Sequence, residues 1–428
     1  MALNIYFERN LMSNLTLLKC ITCGKEYQPS EIDYTCPDCG PLLGTLQVLY
    51  DYNAIKKELT KNYLSSNKDF THWRYLPLLP INNPDFIQKL SVGWTPVYHN
   101  SSIAQELGIK SVWIKDDGRN PTGSLKDRAS SVGVVKALEK GAQTVTAAST
   151  GNAASSWSAF TALANLRTII FVPHNAPRAK IAQLLLYGAT VLRVNGNYDE
   201  AFDLCRQAAE RWGWYNRSTA INPYLGEGKK TAALEICEQL NWQVPDFVFV
   251  SVGDGCIFQG MWKGFKESYQ FGLIDRLPKM IGVQAEGCAP LVKAFQAGAN
   301  RAEPLQPNTI ADSISVGIPR DQVKALKAVR ESEGGFIAVS DHQILDAISN
   351  LAKKVGVLAE PAGAAAMAGL YKFAQQGKTS SQQTAVVMVT GNGLKDIDGV
   401  MKAVDPQPLE VENALEDVAE KLNLMLPQ

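Results

Sequence analysis

Histidine is scarce in this chain. Only four occur in 428 residues (His72, His99, His174 and His342), and none falls in a metal-ligand or triad spacing. That pattern argues against a histidine-based hydrolase. Net charge is missing too, since 42 lysines and arginines face 42 aspartates and glutamates. No electrostatic case therefore exists for nucleic acid or a membrane surface as a partner. No apolar run approaches the ~18 residues needed to span a bilayer. Glu8 and Arg9 precede only a modest apolar stretch, with no signal or transit pattern. No internal repeat stands out. What is present is 46% hydrophobic and 20% charged residues, the balance of an ordinary soluble globular protein. The reading is a cytoplasmic chain long enough for two domains plus an appendage.

Four of the eight cysteines are Cys20, Cys23, Cys36 and Cys39, spaced C-x2-C-x12-C-x2-C. Two such knuckles can present four thiolates at the corners of a tetrahedron. Zinc suits an all-sulfur closed site, and such sites are structural. A disulfide framework does not fit a large cytosolic chain. With no basic excess nearby, the segment reads as a structural, zinc-ribbon-like head. Cys205, Cys237, Cys256 and Cys288 are scattered and read as small buried apolar groups.

Beyond the head, a charged helix is expected over 53–61. From Ser111 the pattern alternates. Strands are predicted at 111–115, 144–148, 168–172, 190–194, 247–252, 280–284 and 385–389. Helices are predicted from Asn152, over 179–187, 199–211 and 228–240, after the strand ending at 252, and over 341–355 and 361–373. Alternation with short connections implies α/β architecture with open, mostly parallel sheets.

In such sheets ligands gather at strand carboxyl ends and helix starts. Four segments fall there: Asn120–Arg128 (N-P-T-G-S-L-K-D-R), Ser149-Thr150-Gly151-Asn152, Gly253-Asp254-Gly255, and Thr390-Gly391-Asn392-Gly393. In the first, turn residues deliver Lys126 onto a helix start, with Ser124 expected as N-cap and Asp127 in the first turn. The helix dipole there disfavours a cation by ~0.3–1 kcal/mol. It thus favours the neutral amine that forms Schiff bases.

Taken together, these segments resemble the fold-type-II pyridoxal-phosphate enzymes, over roughly 94–396. The run Val389–Asp396 (V-T-G-N-G-L-K-D), Glu360-Pro361-Ala362 and the cysteine head with Tyr50-Asp51-Tyr52 resemble the threonine synthases among them. The resemblance implies two open, mostly parallel α/β domains plus the small head. It divides the chain into a head (1–50), a larger domain (51–120 and 231–405), a smaller domain (121–230) and a C-terminal tail or helix (406–428). It implies that Lys126 holds pyridoxal 5'-phosphate as a Schiff base and shuttles protons. Asn152 would meet the pyridine 3-hydroxyl, Thr390 the ring nitrogen, and Gly253, Asp254, Gly255 and Cys256 the cofactor phosphate. Ser149 and Thr150 would take the substrate carboxylate.

The implied reaction turns O-phosphohomoserine and water into L-threonine and phosphate, in a homodimer. Two departures touch the substrate, one at Leu225 and one in the phosphate loop, which is less glycine-rich than in related sequences and sets the Asp254 carboxylate near a dianion. Leu225 stands about where related sequences carry an arginine that clamps its phosphate, leaving Lys180, Lys229 and Lys230 as substitutes. A lyase or β-replacement enzyme for an unphosphorylated or phosphoserine-type amino acid is the alternative. A zinc-ribbon scaffold with a degenerate cofactor fold is a third reading, opposed by the intact Lys126, Asn152 and Thr390.

Overall fold

A computed structural model describes residues 13–423, apart from 150, 175, 177, 197, 219 and 405–407. Three sheets organise it. The head is antiparallel, ordered β2-β1-β3, from β1 (Leu15–Cys20), β2 (Glu26–Tyr27) and β3 (Leu46–Tyr50). The largest sheet runs β12-β11-β10-β13-β5-β4. Its strands are β4 (Val97–His99), β5 (Ser111–Asp116), β10 (Phe247–Ser251), β11 (Lys279–Ala285), β12 (Gly335–Val339) and β13 (Thr384–Val389). All pair in parallel except the edge strand β4. The third sheet, β8-β7-β6-β9, is parallel throughout. It uses β6 (Thr144–Ala148), β7 (Arg167–Pro173), β8 (Thr190–Val194) and β9 (Tyr215–Asn216).

The mixed α/β class with parallel sheets is therefore as expected. The central strands read as unbroken apolar runs because both faces are covered by helices: Phe247–Ser251 is buried at every position. Beyond the three head strands, for which no prediction is made, three strands escaped the sequence reading. Two-residue β9 and three-residue β4 are too short to show a period. β12 (Gly-Phe-Ile-Ala-Val) begins on a glycine after Glu333 and Gly334. The single helix expected over 53–61 is two, Tyr52–Glu58 and Lys61–Ser66. Thr60 interrupts it, its hydroxyl accepting from the Tyr63 amide at 3.1 Å to start the second.

The head shares its apolar core with the rest of the molecule: Leu18, Val48 and Tyr50 cluster with Val132, Val135, Tyr224 and Leu234. In each knuckle a glycine in the left-handed region follows the second cysteine, Gly24 at φ +78° and Gly40 at +72°. Their amides return to the carbonyls of Cys20 and Cys36. The four sulfur atoms lie within 4.8 Å of one another, and Cys23 and Cys36 are 3.7 Å apart. Tetrahedral zinc with bonds of about 2.3 Å sets its sulfurs about 3.8 Å apart.

Candidate active site

The carboxyl ends of the two parallel sheets open on one cavity of about 750 Å3. After β5 the chain makes the turn that leads to the Lys126 helix (Lys126–Glu139). Gly123, at φ +80°, closes this turn with its amide on the Asn120 carbonyl at 2.8 Å. The turn is then stitched to the end of β13. Asn392 donates its amide to the Gly123 carbonyl at 2.9 Å, and Leu125 donates to the Thr390 carbonyl at 3.0 Å. Lys126 and Thr390 are thereby held as neighbours in one wall.

Ser124 does not cap this helix, contrary to expectation. The capping position falls on Leu125, and the buried Ser124 hydroxyl has no partner among the described residues. The helix starts one residue later than expected, with the Leu125 amide committed to the Thr390 carbonyl. The Asp127 carboxylate reaches back to the Thr122 amide and hydroxyl, so the first turn is secured from its other side.

Behind Lys126 lies a dry ionic network. Arg128 binds Asp117 at 2.6 and 2.9 Å and also Glu235, all fully buried. Lys115 binds Glu235 at 2.6 Å. Burial pulls Glu235 up, but Arg128 and Lys115 outweigh it and hold the carboxyl near about 2. This network clamps the Lys126 helix to the helix Leu225–Gln239. Gly228 permits the close approach, because a Cβ there would stand 1.8 Å from the Arg128 carbonyl oxygen.

Lys126, Ser149, Asn152, Gly253–Cys256, Lys229 and Thr390 all line the cavity. Asn152 opens its helix and donates to Glu360 at 2.6 Å. The Ser149 hydroxyl accepts from the Gly151 amide at 3.2 Å. Thr150 and the Lys180 side chain lie outside the described residues. The loop after β10 opens the helix Cys256–Gln270 with free backbone amides, an anion cradle. Gly255 shapes it at φ +95°, and a Cβ there would meet the Ala325 Cβ at 2.7 Å. Asp254 does not spoil the cradle's charge by pointing freely into it: its carboxylate accepts from the Arg320 amide at 3.1 Å. These features fit a phosphate-bearing aldehyde cofactor: an amine, a cradle for the phosphate, and polar side chains between.

The Lys126 amine is pulled from 10.5 to about 8, first by burial and then by Lys229 and Arg217, with Glu360 and Asp254 opposing. The lysines of the neighbouring helix are not solvated. Lys229 and Lys230 are both buried. Lys230 is ruled out as a phosphate ligand because Glu227 and Glu267 hold it at 2.6 and 2.7 Å. Leu225 packs against Gly133 and Trp157 in the core.

Sequence reasoning missed Glu360 as the partner of Asn152. It also missed Tyr198 and Ser313 in the cavity wall and Arg217 behind it. Glu360 was visible only as part of a shared motif, and the other three carried no signal.

A model of the family described as "Pyridoxal-phosphate dependent enzyme" matches residues 89–391. A threonine synthase of Methanocaldococcus jannaschii is 42% identical over 411 residues, covering 95% of this chain and 100% of that protein. One from Methanosarcina acetivorans is 40% identical over 408 residues, covering 95% and 98%. Among solved structures, the processed threonine deaminase isoform 2 of Solanum lycopersicum aligns with a TM-score of 0.62 at 23% identity, over 72% of this chain and 87% of that one. Diaminopropionate ammonia lyase of Escherichia coli aligns at 0.64 and 18% identity, with the same coverage. These structures share the fold.

Proposed function

The chain belongs to the threonine synthase family of pyridoxal-phosphate-dependent enzymes, and on that basis we propose how its own residues carry the reaction. The enzyme is a carbon–oxygen lyase that turns O-phosphohomoserine and water into L-threonine and phosphate. Pyridoxal phosphate, when bound, supplies an electron sink for charge developing beside the amino-bearing carbon.

Lys126 holds the cofactor and carries the protons. Its value of about 8 leaves a useful neutral fraction near physiological pH. The amine takes the proton from the substrate α-carbon and regains its neutral form before the later transfers. Asn152, steadied by Glu360, and Thr390 would hold the cofactor ring. Gly253, Asp254, Gly255 and Cys256 would hold its phosphate on their backbone amides. Ser149 and Thr150 take the substrate carboxylate, and Lys180 and Lys229 lie on the substrate side. Cys20, Cys23, Cys36 and Cys39 hold a structural zinc ion. The reading extends to a cytoplasmic homodimer, and light scattering that gave a monomer would end the dimer part.

The observation that carries this reading is the Lys126 amine, pulled toward neutrality and placed in one cavity with Asn152, Thr390 and the helix-start cradle. The test follows phosphate release and threonine formation from O-phosphohomoserine, with Lys126→Ala beside the parent. The variant is expected to lose the visible absorbance of the lysine-bound cofactor and at least about 10³-fold in rate. A lyase or β-replacement enzyme for an unphosphorylated amino acid is the second reading, favoured by Leu225 in the core. Turnover of serine or threonine derivatives with none of O-phosphohomoserine would establish it instead.

A further inference from the structure

Arg217 follows β9 directly, at the carboxyl end of the smaller parallel sheet. Its amide donates to the Thr146 carbonyl of β6 at 2.9 Å, so it stands beside the strand that leads into Ser149. The side chain is 2% exposed, yet Nε and Nη2 have no hydrogen-bond partner among the described residues. A guanidinium offers five donors and is not expected to give up its proton near neutrality. Leaving such a group buried and unpaired is costly unless a ligand completes it.

The groups whose charges it meets are Tyr198, Cys256, Asp254, Lys126 and Lys229, and all of them line the cavity. Its guanidinium therefore stands just behind the cavity wall. Three cations thus gather around one space, Lys126 and Lys229 lining it and Arg217 behind its wall. The nearby carboxylates are already engaged, Asp254 with the Arg320 amide and Glu360 with Asn152. The cavity is prepared for more negative charge than the cradle alone would take. The cradle uses backbone amides on the larger sheet, whereas Arg217 rises from the smaller one.

We propose that Arg217, with Lys229 beside it, clamps the phosphate of the substrate. This rests on the functional reading above, and it names the residue that takes the phosphate while Leu225 is committed to the core. A planar fork suits a phosphate dianion, with two parallel hydrogen bonds. Lys229 adds a point charge from the second turn of its helix.

The test uses the holoenzyme, its Arg217→Met variant and inorganic phosphate as the probe, followed by calorimetry. Phosphate binding is expected to weaken about 10²-fold or more, and kcat/KM for O-phosphohomoserine to fall by a similar factor. Affinities for pyridoxal phosphate and for L-threonine, which carries no phosphate, should stay within about threefold. Arg217→Lys keeps the charge but loses the fork, so it should weaken phosphate binding about tenfold. It carries the test if the methionine variant fails to fold. Unchanged phosphate binding overturns the proposal. So does a loss of pyridoxal-phosphate affinity as large as the loss of phosphate affinity, which would assign Arg217 to the cofactor. A parent enzyme inactive on O-phosphohomoserine would overturn the functional reading, while the phosphate titration would still decide the clamp.

Discussion

Two charged regions lie on either side of the Lys126 helix, and they are built on opposite rules. Behind it, Arg128, Lys115, Lys230 and Lys263 are buried, and each meets a carboxylate at 2.5 to 2.7 Å. In front of it, Lys126 and Lys229 line a cavity with Arg217 behind its wall, and there Asp254 and Glu360 are bonded to other groups. The paired set holds helices together and needs no ligand. The unpaired set is unfinished without one. The cysteine head is the mirror case, four sulfurs gathered within 4.8 Å of one another. Buried charge alone is thus a poor guide to function; buried charge without a partner is the sharper one.

The largest test of this contrast is at the head. Structural zinc sites bind with about 10–16 kcal/mol. The purified protein should carry one zinc per chain by elemental analysis, and Cys36→Ser should carry none. A parent chain free of zinc would remove the head from the unfinished class. Next comes the same substitution on each side of the helix. Arg128→Met takes the only ion-pair partner of Asp117 among the described residues and leaves Glu235 with Lys115 alone, and should cost about 3–5 kcal/mol in urea unfolding of the cofactor-free protein. Arg217→Met should cost nothing measurable there, because it removes a cation that has no partner. Equal losses would erase the distinction.

The gentlest effect is on pH. Unfolded lysine keeps its proton up to about 10.5, whereas folded Lys126 keeps it only to about 8. Between these values the unfolded chain binds more protons, so stability of the cofactor-free protein should rise with pH through that window. Lys126→Met should flatten that rise. A slope unchanged by the substitution would place the amine in an ordinary environment.

The alternation of strands and helices was legible because central parallel strands and amphipathic helices each leave a period in the sequence. Lys126 was legible from its turn, though for an incomplete reason. The helix dipole supplies ~0.3–1 kcal/mol, less than one pKa unit. The shift from 10.5 to about 8 comes mainly from burial and the two neighbouring cations. Those cations were hidden. Lys229 and Lys230 look equivalent in sequence, but a step of one residue turns about 100° around the helix. One therefore reaches the cavity and the other reaches Glu227 and Glu267. Arg217 was invisible because it follows a strand of two residues, and because lacking a partner is a property of three dimensions. Ser124 misled because local capping preference lost to a contact with Thr390, far along the chain.

The Tyr50 hydroxyl of the head donates to Glu227 at 2.8 Å, and the Lys263 ammonium donates to Glu227 and to the Val48 carbonyl at 2.6 Å each. Glu227 lies two residues before Lys229 on the same helix. The head therefore works as a keystone rather than an ornament. A chain shortened to start after Tyr50 would lose a lid over the Glu227 ionic cluster and let water into it. The disturbance would surface one half-turn away, in the cavity wall that carries Lys229.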